Sequence, residues 1–106
     1  MSKKLQGILA ELRRRFEALY GPRLVRMVLY GSQARGDADP GSDIDVLVVL
    51  AGEVEPCEEI GRTLDNVAGL SLENDVVIAC VFMDEHRFTT RNGPLLRNIR
   101  REGIPL

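Results

Sequence analysis

The 106-residue sequence is poor in the side chains that most often announce a binding surface: no tryptophan, two tyrosines, three phenylalanines and one histidine. So few aromatics leave no basic surface interleaved with stacking rings, the kind that grips single-stranded nucleic acid. No direct nucleic-acid partner is therefore expected. The two cysteines, Cys57 and Cys80, form no CxxC pair and no metal-ligand cluster. With no sign of export, they read as reduced thiols in a cytoplasm. No apolar run approaches the length of a membrane span. The N-terminal MSKKLQGILAELRRRF has charges throughout and no small-residue cleavage site, so it does not read as a secretory signal. The lone His86, in MDEHRF, reads as ordinary surface or boundary packing.

What is present is acid, concentrated. Between Asp37 and Asp75 stand eleven acids and one base, Arg62; outside that window thirteen bases face five acids. Such asymmetry suits one acidic site with basic surroundings that could meet an anion, although solvated helix faces explain part of it. The density peaks in YGSQARGDADPGSDIDVLVVL. There Asp37, Asp39, Asp43 and Asp45 fall within nine residues, and the last two run into an apolar strand. Like charges at the mouth of a buried strand repel one another and resist desolvation, so something must offset that cost.

The length suits one domain, residues 1–106, with a single core. Leu5, Ile8, Leu9, Leu12, Phe16 and Leu19 share one face of a predicted helix over Ser2 to Tyr20, stopped by Gly21-Pro22. Leu24 to Tyr30 reads as a strand. Gly31 to Gly36 is a tight turn into a short helix, and Asp37 to Ser42 a loop. Ile44 to Leu50 is a strand apolar on both faces, hence central. Glu55 to Leu70 reads as a helix, Asp75 to Phe82 as a third strand, and Met83 to Thr90 as the start of another helix. Pro94 opens a last helix that Gly103 ends. The class is α/β or α+β: a small mixed sheet of about three to four strands with helices packed on it.

A strand ending in Gly31-Ser32 and turning into a helix presents backbone N–H groups and a hydroxyl, a ready anion site. It is neither a P-loop nor a dinucleotide fingerprint. Alternation along a strand puts Asp43 and Asp45 on one face, about 7 Å apart. A pair so placed calls for a hard divalent cation, and Mg²⁺ shared with substrate phosphates fits. Asp75, at the start of the third strand, would complete a three-carboxylate cluster able to hold two ions, with Glu73 as its competitor. Asp37 and Asp39 read as turn formers.

Gly31-Ser32, ten intervening residues and Asp43-Ile44-Asp45 match the GS…DxD signature of the DNA polymerase β-like nucleotidyltransferases. The fuller string GSQARGDADPGSDIDVLVV closely resembles the minimal nucleotidyltransferases, or MNT proteins, often antitoxin partners of HEPN-domain RNases. The resemblance implies the polymerase β-like fold and a chemistry in which ATP and two Mg²⁺ ions meet at these residues. Gly31 and Ser32 would hold the β- and γ-phosphates, with Arg35 offsetting their charge and Ser42 grouped with them in nucleotide binding. Asp43 and Asp45 would ligate Mg²⁺, and Asp75 the ion that activates the incoming hydroxyl.

AMP would pass to a partner protein, by resemblance a HEPN toxin in a hetero-oligomer, with a tyrosine hydroxyl as acceptor. Exposed apolar surface on the first or last helix would dock it. The chain is too short to wall a small-substrate pocket of its own. Two other readings are a binding-only antitoxin and a small-molecule nucleotidyltransferase completed by a second chain.

Overall fold

The computed structural model describes residues 1–39 and 41–106. Helix α1 spans Lys3–Tyr20; the Ser2 side chain caps it, accepting from the Leu5 N–H at 3.1 Å. Gly21, at φ 56°, ends it and passes the chain through a short 3₁₀ turn, Gly21–Arg23, into strand β1, Leu24–Tyr30. A four-residue helix, α2 (Ser32–Arg35), leads by way of the loop to β2, Ile44–Leu50. Helix α3 (Pro56–Asn74) and strand β3 (Ile78–Asp84) follow, then α4 (Glu85–Thr90), α5 (Pro94–Glu102) and the two-residue strand β4, Ile104–Pro105.

The four strands form one sheet in the order β3-β2-β1-β4. β2 runs antiparallel to β1 and parallel to β3, so it is the central strand that its double-sided apolar sequence implies. Met27 and Leu29 of β1, the even-numbered residues of β2, and Ile78 and Phe82 of β3 pack beneath α1 and α3, around Leu12, Phe16 and Leu70. The opposite face is covered more thinly. There Val28, Leu47 and Val49 meet Leu96 and Ile99 of α5, with Tyr30, Val81, Met83 and Phe88 at the margin. Among the described residues no helix is long and apolar enough to cross a membrane.

β1 and β2 begin and end where the sequence pattern puts them; the third strand does not. α3 runs one further turn, to Asn74, and Asp75 closes it in the left-handed conformation (φ 52°, ψ 50°), its N–H donating to the Ser71 carbonyl. Aspartate tolerates that conformation better than most residues. β3 consequently starts at Ile78, and Asp75 is a helix cap. Past Leu70 the sequence SLEN carries too little apolar periodicity to predict the extra turn. β4 escaped expectation because two residues, one a proline, carry no alternation.

Helices α1 and α3 are held together by one buried carboxylate. Glu59 is 2% exposed. It accepts from the Tyr20 hydroxyl at 2.7 Å and pairs with Arg62 at 3.0 Å and Arg23 at 3.5 Å. Burial pushes the Glu59 pKa up, but the Tyr20 hydroxyl, Arg62 and Arg23 outweigh it, leaving the group below its ordinary range. Its ionised form therefore stabilises the fold above the usual glutamate range, and that contribution is lost as pH falls through the lowered value. Glu59→Ala is expected to cost about 3 kcal/mol at neutral pH, because partners arranged around a charge lose it. Thermal melts from pH 7 down into acid check this: the deficit should shrink as pH falls through the lowered value, where the native group protonates as well.

Candidate active site

The antiparallel register of β1 and β2 sets Tyr30 opposite Asp45, so the end of β1 and the start of β2 share one edge of the sheet. Gly31 follows at once with φ 73° and ψ −157°, a conformation open essentially to glycine. It is close to Asp45 as well: a Cβ on Gly31 would lie 2.6 Å from Asp45 Oδ2. The phosphate-type turn and the second carboxylate are thus in direct contact. Beyond Gly31, the Ala34 and Arg35 N–H groups both donate to its carbonyl at 3.1 Å, which tightens the turn.

Asp45 lies on the face of β2 that also carries Leu47 and Val49, and Asp43, two residues earlier and exposed, continues that alternation. Burial first, and the neighbouring Asp43 carboxylate second, raise the Asp45 pKa. A group disfavoured in its charged form at the mouth of a strand is a poor structural device and a good cation ligand. These two carboxylates and the Gly31-Ser32 backbone fit one Mg²⁺ ion carrying nucleotide phosphates.

The remaining expected residues are placed differently. Ser32 opens α2 beside Gly31, and Ser42 is half-buried just before Asp43, its carbonyl accepting from Gln33 Nε2 at 3.2 Å. Gln33 therefore ties α2 to the segment that delivers both aspartates, a positioning role the sequence pattern did not single out. Arg35 is exposed and paired with Asp37 (3.1 Å) and Glu102 (3.4 Å), so it must exchange those partners to meet a triphosphate. Asp37 is thus an ion-pair partner as well as a loop residue.

Asp75 and Glu73 do not join the pair. Asp75 caps α3, and Glu73 reaches back to Arg15 of α1 at 3.7 Å. Among the described residues no group of three or more Asp, Glu, His or Cys side chains stands together as a metal site. Tyr30, at the end of β1, faces Asp45; burial and then that carboxylate raise its pKa. Counting back by twos from the turn would have found it.

The structure thus sets a glycine-serine turn against Asp45 at the start of the central strand, with Asp43 two residues before it. The chain belongs to the nucleotidyltransferase domain family, which it matches over residues 9–104. Two proteins of Methanocaldococcus jannaschii, both provisionally named protein adenylyltransferases, are similar to it. One is 33% identical over 68% of this chain and 72% of its own length, the other 35% identical over 79% of each. Among solved structures, a toxin–antitoxin complex with AMP-PNP contains a chain of the same fold (TM-score 0.64, 18% identity, 98% of this chain and 72% of that one). So does a complex of a tri-AMPylated Shewanella oneidensis HEPN toxin with its MNT antitoxin (TM-score 0.54, 16% identity, 92% and 70%). The resemblance to the MNT proteins holds at the level of fold.

Two outcomes follow from the contact of Gly31 with Asp45. Gly31→Ala is expected to destabilise the protein by about 2–3 kcal/mol through backbone strain and clash. The loss should be smaller in an Asp45→Ala background, and a double-mutant cycle on urea melts measures that coupling. Independently, a raised Asp45 pKa means the protonated group favours folding in acid, a contribution lost as pH rises through the raised value. In EDTA, Asp45→Asn should therefore raise the melting temperature at pH 7 and leave it nearly unchanged at about pH 4 or below. Paired thermal scans at the two pH values read the difference.

Proposed function

We propose that the protein is an Mg²⁺-dependent adenylyltransferase that moves AMP from ATP to a hydroxyl, a tyrosine's, on a partner protein. The partner is a HEPN-class toxin, and the chain is its antitoxin. The observation that carries this reading is the contact of the Gly31 turn with Asp45, with Asp43 beside it on the same face. Such a site can take a triphosphate on backbone N–H groups while carboxylates hold the accompanying cation. Bound there, the cation would neutralise phosphate charge and stabilise the departing pyrophosphate. In the transfer the acceptor hydroxyl oxygen forms a bond to the α-phosphorus as the bond to pyrophosphate breaks, and the hydroxyl proton passes to solvent. Ser32 and the turn hold the β- and γ-phosphates in line for that displacement, and Arg35, freed from Asp37 and Glu102, offsets their charge.

A protein acceptor is favoured by what the surface offers. As expected for the first helix, an apolar groove lies along α1 against β4, lined by Leu9, Ala10, Ile104, Pro105 and Leu106; further exposed apolar side chains stand on α3 and just beyond it. Ile60 is 50% exposed, Leu64 57%, Leu72 83% and Val77 55%. Beside Ile60 and Leu64 an apolar groove runs down to Ile78, Cys80 and Phe82 of the edge strand β3. A partner docked on this face would cover an edge that is otherwise open. The kinship to provisionally named protein adenylyltransferases and the shared fold with toxin–antitoxin proteins support the same reading. A binding-only antitoxin is the second reading, favoured by the absence, among the described residues, of a group of three carboxylates at the site.

The test is intact-mass analysis of the protein encoded beside this one, incubated with this chain, ATP and Mg²⁺. A gain of one or more AMP units, abolished by Asp43→Ala with Asp45→Ala, is the expected result. Tight binding with unchanged mass for all four nucleotides would hand the case to steric neutralisation.

A further inference from the structure

The expected three-carboxylate site needs an acid on β3 beside Asp45, and the register shows which residue stands there. β2 and β3 pair in parallel as Ile44 with Ile78, Asp45 with Ala79, Val46 with Cys80 and Leu47 with Val81. Ile44 and Ile78 both point into the core under α1 and α3, and Leu47 and Val81 both point to the opposite face. By alternation Asp45 and Ala79 share that second face, on adjacent strands about 4.8 Å apart. All three β3 residues on this face, Ala79, Val81 and Met83, are apolar. On Asp45's other side, in β1, stands Tyr30, whose phenol is neutral at physiological pH. Of the acids at the two ends of β3, Asp84 caps α4 by accepting from the Arg87 N–H at 2.7 Å, and Asp75, which closes α3 through its backbone N–H, forms no group of three with Asp43 and Asp45.

We infer that Ala79 makes this a one-cation site: alone, the chain holds a single divalent ion together with the nucleotide, and the protein ligand for any second, acceptor-side ion comes from the molecule that brings the hydroxyl. Two carboxylates can share one octahedral ion with phosphate oxygens and water. A second ion close by needs a further anionic oxygen, since hard cations with few charged ligands keep their water and dissociate. The β3 side supplies none. A protein so built keeps its nucleotide loaded and inert until a partner completes the site, which suits an enzyme whose acceptor is also its binding partner. This inference rests on the nucleotide-transfer reading above.

The experiment counts Mn²⁺ bound to the purified chain by the loss of free-ion EPR signal, in the presence of α,β-methylene-ATP, which cannot transfer AMP. Wild type should saturate at one Mn²⁺ per bound nucleotide. Ala79→Asp should take up a second Mn²⁺ at free concentrations where wild type remains at one, and its melting temperature should fall in EDTA and recover with Mn²⁺. Ala79→Asn, which offers no charge, should stay at one. Two ions on wild type, or a folded Ala79→Asp chain that remains at one, overturns the inference. If Ala79→Asp does not fold, the wild-type count decides alone. No nucleotide and no ion on wild type would remove the functional reading and the inference together. One ion on wild type with no AMP transfer to the partner would remove only the former.

Discussion

The structure depends on one pairing, β1 against β2. That antiparallel register puts Tyr30 opposite Asp45 and so brings the Gly31 turn onto the carboxylate at the mouth of the central strand. Shift it by one residue and Asp45 would point toward the core beneath α1 and α3, while Leu47 and Val49 would lose their places against α5. The apolar residues of β2, buried on both faces, make such a shift very costly. The strength of the core therefore forces two anions together at its rim, where a cation and phosphates can compensate them.

The same architecture explains why the site is open on one side. α1 and α3 cover one face of the sheet with long apolar rows, while the short α5 covers the other with little more than Leu96 and Ile99. Asp43 and Asp45 lie on this second face. On the function proposed above, the wall over this surface would come from a partner. The exposed apolar side chains of α3 and the free edge of β3 are the features that call for one.

Much of this was legible in the sequence. The spans of β1 and β2, the helix stop at Gly21-Pro22, the last helix from Pro94 and the Gly31-Ser32 turn beside Asp43 and Asp45 all rest on local signals. Apolar alternation, glycine and proline punctuation and a dense motif are each carried by a few adjacent residues. Asp75 shows where local signals stop. An acid before an apolar run can be a strand opening or a helix cap, and the choice turned on whether α3 could pack one more turn, with Leu70 buried and Asn74 side chain bonded to the Leu70 carbonyl.

By itself, then, the sequence determined most of the elements, the glycine-serine turn and the paired carboxylates, because these follow from φ preferences, side-chain period and charge over short spans. Only the tertiary structure decided which residues meet across strands: Tyr30 and Ala79 beside Asp45, Gln33 against Ser42, Glu73 held by Arg15 away from the site. Cross-strand neighbours are set by register and by the burial of whole faces, quantities that no short stretch of chain contains.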